Sequence, residues 1–349
     1  MKRQRTIRVV LLIAAAVLVI AAAIGALMER RTTSSAARQR ARWVAAYRPP
    51  AAIPFPPGEP YTHAKAALGR RLFFDPALSA SRTLACAGCH DPSLAWADGR
   101  ARAVGDGGAT LALRTPTLLD VAFSPVLGWD GKFPDLDSVA YAPITAAENM
   151  NLSEAELARR LSASTQYRTA FARAFPDGAI TRDHVEQALA TFARTIVADE
   201  APFDRWITGD KNAIGSAAKR GFDLFNGRGH CASCHSGWAF TDGSFHDIGS
   251  ASGADIGRGR LFPTSIMLRY AFKTPSLRDV ARRAPYMHDG SVPTLAAVIA
   301  LYNRGGIARP SRAEAIRKLG LTARDTADLL AFLDTLTGDR PSTLPHAAQ

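Results

Sequence analysis

The chain has 349 residues, 47 % of them hydrophobic, enough for two domains with real cores. Its net charge of +12 is uneven: residues 1–42 carry nine Lys or Arg against one acidic residue, and the remainder carries 34 against 30. That distribution excludes a basic nucleic-acid footprint on a folded domain and assigns most of the charge to the N-terminal segment.

The chain opens on the basic stretch MKRQRTIR, followed at 9–28 by 20 uncharged, mostly apolar residues. That length spans a bilayer as a helix. It exceeds the apolar region of a cleavable signal, so residues 1–28 read as an uncleaved anchor, with cleavage near Ala21–Ala26 as the alternative. The basic start holds the N-terminus in the cytoplasm and sends the rest outside, which predicts a periplasmic protein tethered to the inner membrane. Residues 29–60 are Arg- and Pro-rich and read as a linker.

Two domains are expected at 61–200 and 201–338, before a short tail at 339–349. The first begins with LGRRLFF (68–74), a helix leading into CAGCH (86–90). The second repeats this with RGFDLF (220–225) and CASCH (231–235). Both are C-x-x-C-H, the pattern of covalent c-type haem attachment, with two thiols for the vinyl groups and a histidine for iron. They use all four cysteines, Cys86, Cys89, Cys231 and Cys234. A thioredoxin-like pair gives no reason for the histidines, and a zinc site needs four converging thiolates. Two covalent haem c groups are therefore expected, with His90 and His235 as proximal ligands.

The echo continues. WADGRARAVG (96–105) answers FTDGSFHDIG (240–249), RTPTLLDVA (114–122) answers KTPSLRDVA (273–281), and WDG (129–131) answers HDG (288–290). The duplicated module predicts two small cytochrome-c-like domains. Between and after them, helical periodicity marks 151–175, opened by a Ser153-x-x-Glu156 capping box, 181–197 and 322–336. Strand-like alternation is scarce, and the expected class is mostly α.

The copies differ where chemistry is decided. Counting on from the two DG pairs places Pro143 and Tyr302 at the same position. If that position faces the iron opposite the histidine, Tyr302 closes the second haem with a phenol oxygen and Pro143 leaves the first open. Tyr302 as core packing, with Met287 or Met267 as sixth ligand, is the competing reading. Trp129, where the second copy has His288, is a relay between the haems or a packing residue. Asp106, in the Gly-rich loop VGDGG, and Glu148, just past Pro143, are candidates to move a proton between the oxygens of a peroxide.

Over roughly 60–338 the chain resembles the bacterial dihaem cytochrome c peroxidases and their relative MauG, on LGRRLFFDPALS, CAGCH, WADG, RTPTLLDVA, WDG, CASCH, FKTPSLRDV and APYMHDGSVPTL. The resemblance implies a peroxide-reactive first haem, an electron-receiving second haem, and Trp129 between them. The ordinary peroxidases have methionine at the Tyr302 position and MauG has tyrosine, so LYNRGG implies MauG-like ligation. Other positions depart from the family. Asp106 stands where the peroxidases often have a histidine that ligates the resting first haem. The family's distal glutamate aligns with Asn149, one residue after Glu148, and MauG's distal glutamine aligns with Val139. The asparagine that binds an interdomain Ca²⁺ aligns with Arg114, whose guanidinium is expected to take that space.

Three functions follow as expectations. The first is peroxidase activity, reducing hydrogen peroxide to water with electrons from a small donor such as a cytochrome. The second is MauG-like oxidation of residues on a partner protein. The third is a non-catalytic carrier with two closed haems, against which Pro143 counts.

Overall fold

A computed structural model describes residues 17–21, 23–25, 28 and 37–339 of the chain. The expected membrane segment, 9–28, lies mostly outside the described residues, and among those described no helix is long and apolar enough to cross a membrane. The chain forms two compact units, Met1–Arg48 and Pro49–Gln349. In the first, residues 37–47 are helical, so the expected linker is not extended throughout.

The second unit is mostly helical. Its helices are α1 (His63–Phe73), α2 (Cys86–Cys89), α3 (Leu136–Thr145), α4 (Glu154–Ala163), α5 (Thr165–Ala174), α6 (Arg182–Arg194), α7 (Pro202–Thr208), α8 (Ser216–Asn226), α9 (Leu295–Arg304) and α10 (Ala323–Asp334). A two-residue antiparallel pair, β1 (Phe245–His246) with β2 (Phe272–Lys273), is the only sheet among the described residues.

The helix expected over 151–175 divides at Ser164, which ends α4 and caps α5 by accepting from Tyr167 N–H. Ser153 caps α4 through Glu156 N–H, as expected. The Glu156 carboxylate does not complete the box. Arg159 and Arg160, one turn on, hold it at 2.6 and 2.7 Å, a pairing of opposite full charges that competes with the carboxylate's return to the cap N–H.

Each half packs one helix crossing around a glycine. A Cβ on Gly69 of α1 would strike the Ala188 carbonyl and Phe192 of α6, and a Cβ on Gly221 of α8 would strike the Asp328 carbonyl and Phe332 of α10. The crossings are close because neither glycine has a side chain. Beside each lies a triangle of rings. Phe73, Trp96 and Phe192 have centroids 5.8, 5.2 and 6.1 Å apart. Phe225, Phe240 and Phe332 repeat it at 6.0, 5.1 and 6.0 Å.

Two aspartates staple the TP segments to the ends of these packed helices. Asp120 donates its N–H to Ile196 O and accepts from Ala198 N–H. Asp279 does the same with Leu336 O and Gly338 N–H. Both sit at left-handed φ, 60° and 52°. Burial pushes the Asp120 carboxyl up to about 6.

The halves meet through a reciprocal exchange. Arg114 N–H donates to His288 O at 2.9 Å, and Lys273 N–H donates to Trp129 O at 2.8 Å. Their side chains cross too. The Arg114 guanidinium reaches Arg283 O at 2.9 Å, and Lys273 Nζ reaches Ser124 Oγ and Val126 O at 3.0 Å. The two TP segments thus grip each other's DG turns with the same donors.

Gly221→Ala forces a methyl into the Asp328 carbonyl and should cost about 2–3 kcal/mol of stability by overpacking. Thermal unfolding of the variant checks this; an unchanged midpoint would contradict the close crossing.

Candidate functional site

The two C-x-x-C-H segments present the same geometry. All four cysteines are half-buried and no two of them are joined to each other. His90 Nδ1 lies 3.1 Å from Trp96 O, and His235 Nδ1 lies 2.9 Å from Phe240 O. Those carbonyls are aimed by left-handed backbone at Trp96 and Phe240, φ 59° and 53°. Pro116 and Pro275, the prolines of the TP segments, supply further carbonyls to the same histidines. Burial lowers both imidazole pKa values, so the rings are neutral. Nδ1–H is committed to a carbonyl, and the Nε2 lone pair remains for iron.

Asp98 and Asp242 brace these walls and were not singled out from the sequence, although the repeated DG and TP motifs contained the signal. Thr115 Oγ1 donates to Asp98 at 2.8 Å, and Thr274 holds Asp242 in the corresponding way. Cys234, Asp242 and His246 bring ligand atoms within 4.8 Å of one another. Cys234 belongs to the second C-x-x-C-H segment, so its sulfur is one that a covalent haem would take, and the group lies in the wall of that segment.

Four thiols in two C-x-x-C-H segments, with two neutral histidines held by Nδ1, fit two covalent haems. An interdomain Ca²⁺ does not fit. Arg114 is buried, its guanidinium donates to Arg283 O, and the buried Arg283 guanidinium lies in electrostatic reach of it. A guanidinium in that place brings its own buried positive charge and offers no oxygen ligand, which disfavours a calcium ion there.

The register that matched Pro143 with Tyr302 holds in the helices. Asp135 caps α3 and Thr294 caps α9, each through the N–H three residues on, and Pro143 and Tyr302 are the eighth residues of these ten-residue helices. The turns before them match as well, with bridges Leu127–Phe133 and Tyr286–Val292. Gly105 packs against the backbone of 148–149 and Gly249 against that of 306–307, each just past its helix. The Tyr302 hydroxyl is raised well above its ordinary pKa by burial and feels the Cys231 and Cys234 thiols. It therefore lies near the second attachment segment. Met267 is 61 % exposed on a surface loop, away from such a role, while Met287 is half-buried beside His288.

Asp106 lines a cleft of about 400 Å³ with Cys89, Asp98 and Arg100. Its carboxylate accepts from Ser81 N–H at 2.9 Å and from Ser81 Oγ. Glu148 is exposed, and Asn149 O accepts from Asp106 N–H. Trp129 is half-buried, its indole N–H donating to Arg114 O at 3.0 Å. His288 is buried, bonded to Asp255 at 2.6 Å and stacked 3.6 Å from Phe272.

Comparison with known proteins agrees with this geometry. The family model for di-haem cytochrome c peroxidase matches residues 63–212. The methylamine utilization protein MauG of Methylorubrum extorquens is 49 % identical over 86 % of this chain and 86 % of its own. The cytochrome-c peroxidase IdrP1 of Denitromonas iodatirespirans is 32 % identical over 83 % and 85 %. A solved MauG-like protein associated with microbial copper homeostasis superposes with a TM-score of 0.79 at 31 % identity, over 85 % of this chain and 96 % of that one. With two covalently bound haem c groups and a peroxidase-type oxidoreductase scaffold, the chain belongs to the dihaem cytochrome c peroxidase and MauG family.

Proposed function

We propose that the protein consumes hydrogen peroxide at the first haem and draws the electrons from a protein partner by way of Trp129 and the second haem. The observation that carries this reading is the pairing of Pro143 with Tyr302 at one helix position, which gives the halves unlike faces from like scaffolds. The two domains, 61–200 and 201–338, descend from one duplicated module. The basic and apolar start of the chain supports a periplasmic, membrane-tethered location.

When bound, the haems supply the redox chemistry, the first taking peroxide and the second holding an electron. The chain's residues do the rest. Cys86 and Cys89 with His90, and Cys231 and Cys234 with His235, fix the two groups. Trp96 and Phe240 carbonyls hold each imidazole by Nδ1–H and make Nε2 the better donor. Tyr302 offers its oxygen to the second site, and Pro143 offers none to the first. Asp106, oriented by Ser81 at the edge of the first cleft, accepts a proton and returns it to the departing oxygen. Glu148, exposed one loop away, is the second choice. Trp129, bonded to Arg114 at the junction of the halves, is placed to carry an electron.

The partner is a small redox donor in the peroxidase reading. Tyr302 and the 49 % identity to a MauG protein favour the second reading, in which the electrons come from residues of a substrate protein. Stopped-flow mixing with peroxide, in the presence of a reduced cytochrome, separates the two. Stoichiometric cytochrome oxidation is the peroxidase result.

Asp106→Asn should lower kcat for peroxide reduction by about 100-fold with haem content unchanged, the size of a lost proton-transfer group; unaltered kcat would remove Asp106 from the mechanism. Tyr302→Phe should change the absorption spectrum of the second haem alone. An unchanged spectrum would return the ligand to Met287.

A further inference from the structure

Between Gly249 and Lys273 the second half runs fifteen residues longer than the first half does between Gly105 and Arg114. The extra length forms an ordered excursion. Its neck is closed by the bridge between Gly257 and Ala271, with Arg258 N–H on Ala271 O and Tyr270 N–H on Ile256 O. Turns inside it are closed by Leu261 N–H on Arg258 O, Ser265 N–H on Phe262 O and Arg269 N–H on Ile266 O. Such a loop has no need to display apolar side chains, yet Leu261, Phe262, Ile266 and Met267 are 42, 43, 67 and 61 % exposed. Isolated exposures of this kind are ordinary, whereas four within seven residues form a patch.

Two further observations say what covers it. The stretch 256–273 contains three arginines and a lysine and no acidic residue. Arg260 and Arg269 are exposed beside the patch, Arg260 at 3.5 Å from Asp255 just before the stretch, which leaves Arg269 as the guanidinium that best serves a partner. The neck is also tied to the tryptophan turn. Arg258 Nη1 donates to Asp130 O at 2.7 Å and also to Gly131 O, and Lys273 N–H holds Trp129 O.

We infer that residues 256–271 form a docking ridge for an electron-transfer protein whose face is apolar at its centre and acidic at its rim, seated on the second half beside the turn that carries Trp129. This rests on the proposed function and names the surface that serves it. The apolar tip supplies the buried centre of such a contact, and the guanidinia steer the partner and set its orientation.

The test uses the dihaem protein with peroxide and three reductants: a small-molecule donor, an acidic small c-type cytochrome and a basic one. The wild type should oxidise the acidic cytochrome faster than the basic one, and the preference should shrink as salt is raised. Ile266→Ser with Met267→Ser, at the most exposed positions, should lower kcat/KM for the acidic cytochrome at least tenfold, and Arg269→Glu should do so separately. Turnover with the small-molecule donor should not change in either. Equal kcat/KM for wild type and both variants, or no preference for the acidic cytochrome, would overturn the ridge while leaving the peroxidase reading intact. Failure of the wild type to turn over peroxide even with the small-molecule donor would overturn the peroxidase reading itself.

Discussion

The arrangement depends on one exchange of main-chain hydrogen bonds, Arg114 N–H to His288 O and Lys273 N–H to Trp129 O. Each TP segment belongs to its own haem wall, because Pro116 and Pro275 supply carbonyls to His90 and His235. Each also grips the DG turn of the other half. The exchange is isologous in form, the relation a two-fold axis gives between identical subunits, here within one chain. Its side chains are cationic on both sides, and both donate to oxygens of the opposite half.

On this common frame, unlike chemistry needs few substitutions. The ring triangles, the glycine crossings and the aspartate staples are the same in both halves. What differs is a proline or a tyrosine at the eighth position of α3 or α9, a tryptophan or a histidine in the DG turn, and a short or a long loop before the TP segment. Each change sits on a rigid element or is tied to one. Tyr302 is carried by a capped helix and Trp129 by a turn closed through Leu127 and Phe133. Pre-set positions of this kind are what the proposed division into a reactive and a storage site requires.

Much of this was legible in the sequence, because a duplicated motif gives each copy as a ruler for the other. The equal spacing from WDG to Pro143 and from HDG to Tyr302 survives intact, since both stretches are a turn and a capped helix with no insertion. Three features were not legible. Asp120 and Asp279 look like surface acids in an amphipathic run, and only the return of α6 and α10 turns them into buried staples. The break at Ser164 was hidden because the apolar periodicity runs on across it, and a serine inside such a run does not declare itself a cap. Met267 reads as an alternative iron ligand because methionine commonly partners histidine in cytochromes, and its place on an exposed excursion is set by a loop length that residue type does not reveal.

The central claim is that like scaffolds hold one open and one closed haem. Low-temperature EPR of the ferric protein, before and after one equivalent of hydrogen peroxide, tests it most directly. The account predicts one high-spin and one low-spin signal, with the high-spin signal lost on peroxide addition. Two low-spin signals indifferent to peroxide would contradict it and return the protein to the class of electron carriers.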